Sequence, residues 1–155
     1  MFGFFNKQRT VELKRFYRWD VFSVAVPADW NQNESKNNFL SITAPLDAAT
    51  VTASSYKKEA ATLSEFARLR YSAVHECFSP IGEEQRRRSN GFEILWREYE
   101  GIWPGNRSAT LYLVECVQLT ESVFVSLTIT TTPKELKKNR KIYEDIVNSI
   151  QASPA

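Results

Sequence analysis

The sequence predicts an α+β protein in which an antiparallel sheet of about six or seven strands packs with two main helices. Two observations predict this class. Three strand-like segments follow one another between Gly91 and Thr130, and two helix-initiation signals, at Thr62 and at Thr132, lie before and after them.

The three segments are rich in β-branched and aromatic residues, and short turn-forming stretches separate them. They are Phe92–Glu100, Ser108–Leu119 and Val123–Thr130. Segments of this kind joined by tight turns are typical of an antiparallel meander. We therefore expect the meander to form the centre of the sheet.

Alternation along the strands divides the meander into two faces. In the last segment Val123, Val125, Leu127 and Ile129 share one side, which we expect to lie under a helix. If the strands pair as simple hairpins, the other face carries Leu95, Tyr99, Tyr112 and Phe124.

Earlier segments add strands and exposed edges to this sheet. Val21–Val26, Phe39–Ala44 and Thr50–Tyr56 are predicted strands, the last two with small and hydroxylated residues that suit a half-exposed edge. Asn31–Asn38 has no apolar residue and predicts an exposed loop. Pro80–Arg88 is strand-like but highly polar, so we expect it to form the other exposed edge.

Capping boxes mark the starts of the two helices. Thr62-Leu63-Ser64-Glu65 predicts a helix that ends near Cys77, and Thr132-Pro133-Lys134-Glu135 predicts one that ends at Gln151. In the second helix the apolar positions recur at three- and four-residue spacing, while the lysines and Arg140 take the opposite, solvated face.

A chain of 155 residues with 43% hydrophobic residues can bury one sizeable core. We expect a flexible N-terminal arm over residues 1–10, a single domain over 11–151 and a tail over 152–155. The net charge of +2, with acidic and basic residues interleaved, predicts no nucleic-acid partner and no membrane insertion.

The start of the chain, Met1-Phe2-Gly3-Phe4-Phe5, is too short to serve as the apolar region of a secretory signal. We therefore expect a cytoplasmic protein. In that compartment the two cysteines, Cys77 and Cys116, are expected to stay as buried thiols.

Residues that carry chemistry are few and scattered. A Cys–His nucleophile would have to come from His75 and Cys77, and a carboxylate pair from Glu98 and Glu100. No phosphate-binding loop and no set of metal ligands at recognised spacing is present. We predict no catalytic residue, no metal and no cofactor, and keep a hydrolase using His75 and Cys77 as the minority alternative.

Two segments resemble a known family. Val24-Ala25-Val26-Pro27-Ala28-Asp29-Trp30 is similar to the strand-then-Pro-x-x-Trp opening of the DcrB-like bacterial family, which has the PsbP-type α/β/α sandwich. Ser126 to Pro133 is similar to its last strand leading into the C-terminal helix. The resemblance in element order covers Tyr17 to Ile150, and its nearest branch is the Eag-type chaperones of type VI secretion.

This resemblance implies a non-enzymatic cytoplasmic chaperone or adaptor that holds hydrophobic helices of a secreted effector on its sheet. The expected client-binding residues are Phe39, Leu40 and Ile42, on the strand after the Pro-x-x-Trp turn that the resemblance indicates, and Tyr112 and Phe124, on strand faces that the two helices do not claim. An unoccupied apolar sheet face would also favour a homodimer. The alternative is an immunity protein that neutralises a toxin through charged segments such as Asn31–Asn38 or Glu83–Arg88.

Overall fold

The structure is a computed structural model that describes residues 11–18, 21–33, 39–58, 62–72, 78–102 and 109–152. For residues 18 and 109–116 only the main chain is described. These residues form ten strands and two α-helices: β1 (Leu13–Arg18), β2 (Phe22–Pro27), β3 (Asn31–Gln32), β4 (Phe39–Thr43), β5 (Ala49–Lys57), α1 (Leu63–Ser72), β6 (Phe78–Ser89), β7 (Phe92–Gly101), β8 (Ala109–Thr120), β9 (Val123–Thr131), α2 (Pro133–Asn148) and β10 (Gln151–Ala152).

Seven strands form one large antiparallel sheet in the order β3-β4-β5-β9-β8-β7-β6. The predicted meander is confirmed as β7, β8 and β9, which are neighbours in the middle and outer part of this sheet. The predicted polar edge is confirmed as β6. The α+β class and the sheet size are therefore as the sequence predicts.

Helix α2 covers one face of the large sheet, called here the α2 face. Its buried residues include Leu136, Tyr143 and Ile146, which belong to the same core cluster as Leu127 and Ile129 of β9. The periodic apolar positions predicted for this helix and for the last strand thus pack on each other. The Tyr143 hydroxyl also lies 3.2 Å from the Thr131 Oγ1 atom, at the end of β9.

Helix α1 covers part of the opposite face, called here the α1 face. Phe66 of α1 stacks on Phe124 of β9 with ring centroids 4.6 Å apart, and Tyr71 packs against Tyr99 of β7 at 6.1 Å. Because Phe124 and Val125 point to opposite sides of β9, the two helices lie on opposite faces of the sheet. The sequence alone left that arrangement open.

A second, three-stranded sheet of β1, β2 and β10 lies on the α2 side and was not predicted as a separate sheet. Phe22, Val24 and Val26 of β2 join the α2 core cluster. The prediction that the C-terminal helix ends at Gln151 is wrong, because α2 ends at Asn148 and residues 151–152 pair with β2.

Hydrogen bonds at the end of α2 hold the small sheet in place. The Ala25 N–H donates to the Ser149 Oγ atom at 2.8 Å, and Arg15 donates to the Ser149 carbonyl at 2.8 Å. The bond from Arg15 satisfies the carbonyl of Ser149, the residue that caps α2, and both bonds join the end of the helix to the small sheet.

Both predicted helix caps are present. The Thr62 Oγ1 atom accepts a hydrogen bond from the Glu65 N–H at 3.1 Å, and the Thr132 Oγ1 atom accepts one from the Glu135 N–H at 3.2 Å. Of the predicted loop Asn31–Asn38, residues 31–32 form the short edge strand β3, and residues 34–38 lie outside the described residues.

Candidate functional site

The structure places three of the predicted client-binding residues in the core. Leu40 and Ile42 are 1% and 0% exposed and belong to the α2-side cluster, while Phe124 is 0% exposed beneath α1. The expectation that they form an accessible apolar face is therefore wrong for this conformation. Whether the chain binds a client stays a prediction.

Strand register explains why these residues lie on opposite faces of the sheet. Leu40 pairs with Ala53 and Ile42 with Val51, so both lie on the α2 face together with Ile129. Tyr112 pairs with Ile129, which puts this position of β8 on the α2 side as well, opposite to Phe124. The Tyr112 side chain lies outside the described residues.

Phe39 is the predicted residue that does reach the surface of the α1 face. It is 37% exposed and pairs with Ser54 of β5. Because α1 covers the aromatic part of this face, the apolar surface on which the expected homodimer rested is already buried. Self-association itself stays a prediction.

Beside α1, the same face carries a lattice of hydroxyl groups that we call the hydroxyl face. It is built from alternate residues of β4, β5 and β9: Ser41, Thr43, Thr50, Thr52, Ser54, Ser126, Thr128 and Thr130. Ser41 and Ser126 are buried, and the other six are half-buried. No described helix packs over this lattice.

Register fixes the rows of the hydroxyl face. Ser41, Thr52 and Thr128 lie side by side across the three strands, and Thr43, Thr50 and Thr130 form the next row. The Asn33 Nδ2 atom donates to the Ser41 Oγ atom at 3.0 Å and to the Thr43 Oγ1 atom at 2.7 Å, which orders the outer margin.

The hydroxyl face is uncharged and three strands wide. Neighbouring strands lie about 4.8 Å apart, so three strands span about 10 Å, which is the diameter of one α-helix with its side chains. Each hydroxyl can donate and accept a hydrogen bond, and each threonine adds a methyl group. The surface therefore suits a helix that carries both small polar and apolar side chains.

This face was not identified as a site from the sequence. In the sequence, the hydroxylated residues of β4 and β5 indicate only a half-exposed edge. The signal that identifies the face is the recurrence of serine and threonine at every second position on three strands that pair.

The charged segment Glu83–Arg88 lies at the sheet edge, as predicted, and is exposed except at the half-buried Arg87. Arg86 pairs with Glu93 of β7 at 2.5 Å, and the Arg87 guanidinium lies 4.3 Å from the centre of the Trp96 ring. Arg88 is exposed, and no described residue forms an ion pair with it.

The residues of the alternative hydrolase cannot be placed relative to one another. His75 and Cys77 lie outside the described residues, as does the side chain of Cys116. Glu98 forms an ion pair with Arg140 of α2 at 2.7 Å, and Glu100 is exposed.

Among the described parts of the chain, no three histidine, cysteine or acidic side chains are grouped as a metal site. Within those same parts, no helix has the length and apolar character that spanning a membrane requires.

No protein-family model matches the sequence, and a search of curated proteins finds no relative. Solved structures do match. The cyanobacterial PsbP protein CyanoP from Synechocystis sp. PCC 6803 matches with a TM-score of 0.62 at 10% identity, covering 92% of this chain and 93% of that one.

Two further structures are similar over nearly the whole chain. LpqN of Mycobacterium tuberculosis, described as involved in cell envelope biogenesis, has a TM-score of 0.63 at 15% identity, with coverage of 95% and 94%. PA94 of Pseudomonas aeruginosa, described as a protein of unknown function and putative regulator, has a TM-score of 0.59 at 16% identity, with coverage of 93% and 99%. At these identities the similarity shows the fold alone, and the fold of this chain is the PsbP-type α+β fold.

Proposed function

We propose that this chain is a non-enzymatic protein-binding module that holds a helix of a partner protein against its hydroxyl face. The observation that carries the proposal is that α1 packs on only part of the α1 face. The adjoining part is uncharged, one helix wide and not covered by any described helix.

Helix α1 shows how a helix packs on this face. Its apolar residues contact the aromatic end of the face, where Phe124, Leu95 and Tyr99 lie. Packed helices lie about 8–10 Å apart axis to axis, so a partner helix beside α1 would lie over the rows of threonines.

The composition of the hydroxyl face favours a helix of mixed character. Helices that associate within membranes carry small and hydroxylated residues at their contact faces, where serine and threonine donate hydrogen bonds between segments. Paired with such a helix, the hydroxyl face would satisfy polar groups that an all-apolar groove would leave without a partner.

The more specific form of this proposal follows from the resemblance to Eag-type chaperones. In that form the partner is a type VI secretion effector with hydrophobic helices, and the chain acts in the cytoplasm before export. Phe39, at the margin of the hydroxyl face, is the residue of the expected set that takes part.

The proposal is tested by placing a charge in the middle of the face. Thr52 lies on the central strand, between Ser41 and Thr128, so Thr52→Arg puts a guanidinium where the helix would lie. Ser79→Arg is the matched control, because Ser79 is an exposed strand residue that pairs with Glu100 on the other face. Circular dichroism and urea unfolding would establish that both variants fold.

Tagged wild type and variants would be isolated from their native cells, and a co-purifying protein identified by mass spectrometry. A synthetic peptide of its hydrophobic helix would then be titrated against each variant. We expect Thr52→Arg to lose binding and Ser79→Arg to keep it. Equal binding by a folded Thr52→Arg variant would overturn the proposal, and a small soluble toxin bound in a strongly salt-dependent way would favour an immunity role.

A further inference from the structure

The outer edge of β6 is a second surface, separate from the hydroxyl face. Among the described residues β7 is the only strand that pairs with β6, so one edge of β6 has no strand beside it. Residues 85–89 pair regularly with residues 92–96 of β7. All of these five residues are exposed or half-buried.

The hairpin geometry shows which main-chain groups of this edge are free for a partner. Asn90 and Gly91 form a two-residue turn with φ angles of 52° and 80°, the conformation of a type I′ hairpin turn. The pair that flanks such a turn, Ser89 and Phe92, is hydrogen-bonded, and bonded and non-bonded pairs then alternate. The N–H and C=O groups of Arg86 and Arg88 therefore point away from β7.

The side chains along the edge are basic and partly fixed. Arg86 is on the α1 face, where Glu93 and the Ser64 Oγ atom accept its hydrogen bonds at 2.5 and 3.2 Å. Arg88 shares that face by alternation. Arg87 lies on the other face, stacked on Trp96.

A bulge limits the length of this edge. The register shifts between Ile81 and Gln85, where Gly82 has a φ of 72°, so Glu83 and Glu84 leave the regular ladder. The stretch that can pair with a further strand is thus residues 85–89, and three of its five side chains are arginines. On the α1 face it borders an open depression of about 470 Å³ lined by Arg88, Glu93, Thr62 and Gln118.

The charge of this stretch decides which strand can add to it. A second copy of the chain that paired its own residues 85–89 with residues 85–89 here, in either direction, would bring two sets of three arginines together. Like charges opposite one another destabilise strand pairing, whereas opposite charges stabilise it. We propose that β6 binds an extended acidic segment of a partner protein, which adds to the large sheet as a further strand.

In this arrangement the partner hydrogen-bonds to the main chain of Arg86 and Arg88, as in other cases of strand addition. Its residues opposite Arg86 and Arg88 are acidic, and the residue between them faces Arg87 and Trp96. The edge arginines thus oppose pairing with neutral or basic strands and favour an acidic one. This goes beyond the proposed function, and either surface can fail its test without affecting the other.

The probe for this surface is a short synthetic peptide in which glutamate alternates with valine, titrated into the isotope-labelled full chain and followed by NMR. We expect the amide signals of residues 85–89 to shift. A peptide with lysine in place of glutamate should leave them unchanged. The glutamate peptide methylated on alternate main-chain nitrogens keeps its charge but cannot pair as a strand, and it should bind about tenfold more weakly or worse.

Two variants of equal charge change complete the test. Arg88→Glu should weaken binding of the glutamate peptide by about tenfold, because Arg88 faces its carboxylate. Lys138→Glu, on the exposed side of α2, should change affinity by less than about twofold. The proposal is overturned by equal binding of the methylated or lysine peptide, by shifts confined to other strands, or by no shift at peptide concentrations up to about 1 mM.

Discussion

Phe124 shows how alternation assigns a residue to a face without showing what covers that face. The sequence correctly separates Phe124 from Val125 and Leu127. It does not show that Phe66 of α1 stacks on Phe124, because nothing in the spacing of α1 specifies which face it packs against. Phe124, which the sequence predicts to contact a client, packs instead against α1 within the chain.

Replacing Phe124 by aspartate is therefore expected to destabilise the fold instead of removing a binding surface. The ring is 0% exposed, so the variant loses its packing and buries a carboxylate with no counter-charge. We expect a loss of about 3–5 kcal/mol of unfolding free energy, against about 1–2 kcal/mol for Phe124→Leu. Urea denaturation measures both, and near-wild-type stability of Phe124→Asp would contradict the buried position.

Tyr143 joins α2 to the end of β9 through a buried hydroxyl. The Thr131 Oγ1 atom donates to the Ala48 carbonyl at 2.8 Å and so accepts a hydrogen bond from the Tyr143 hydroxyl. Burial raises the pKa of Tyr143 above its ordinary value of 10.0, and nearby Glu135 raises it further.

Because the pKa of Tyr143 is raised, the contribution of its hydroxyl to the stability of the fold depends on pH. Above the ordinary pKa the unfolded chain loses the proton first, so the folded state binds more protons and its stability falls as pH rises. Tyr143→Phe should cost about 1 kcal/mol near neutral pH. That cost should shrink as pH rises from 10.0, because the variant lacks the titrating group.

The Tyr143 prediction is measured by urea unfolding of wild type and variant over a series of pH values. The other tyrosines and lysines titrate in both proteins, so their contribution cancels in the difference. A difference that stays constant through the alkaline range would contradict the raised pKa.

At the scale of elements, local signals predict most of the structure. The two capping boxes, the proline at the first position of α2 and the alternation in β7 to β9 are short-range patterns that follow from main-chain hydrogen bonding. The end of α2 and the strand β10 depend instead on contacts with β2, far away in sequence. Local propensity does not contain that information.

The two helix caps give a matched pair of variants. Thr62→Ala and Thr132→Ala each remove an acceptor for one N–H of the first helical turn, and each should cost about 1 kcal/mol of helix stability. Hydrogen exchange should show faster opening of α1 in the first variant and of α2 in the second. Similar exchange of α1 in both variants would show that the Thr62 cap does not stabilise it.

At the scale of the whole molecule, the candidate site depends on how the layers stack. The serines and threonines of β4, β5 and β9 are visible in the sequence, but their rows appear only once strand order and register are known. The β6 edge was predictable because a polar strand between a helix and a meander suits a sheet margin. What the sequence could not provide was the face on which each helix packs.

The two helices, on opposite faces of the large sheet, differ in the size of the core into which each one packs. Among the described residues, twenty-two buried side chains form the α2-side cluster and eight form the α1-side cluster, four of them from α1 itself. The C-terminal end of α2 also hydrogen-bonds to the turn between β6 and β7, where the side chains of Ser89 and Asn90 donate to the Asn148 carbonyl at 3.1 and 2.9 Å. We therefore expect α1 to open without global unfolding.

Native-state hydrogen exchange tests this difference between the layers. Amides of Phe66 and Ala67 should exchange through an opening whose free energy is lower by at least about 2 kcal/mol than that of Ile146 and Val147. The two helices serve as controls for each other within one sample. Opening of α1 would join the aromatic end of the α1 face to the hydroxyl face, so that Phe124 becomes available only in the opened state. Equal protection of the two helices would instead mean that the molecule unfolds as one unit, and that a partner meets the hydroxyl face alone.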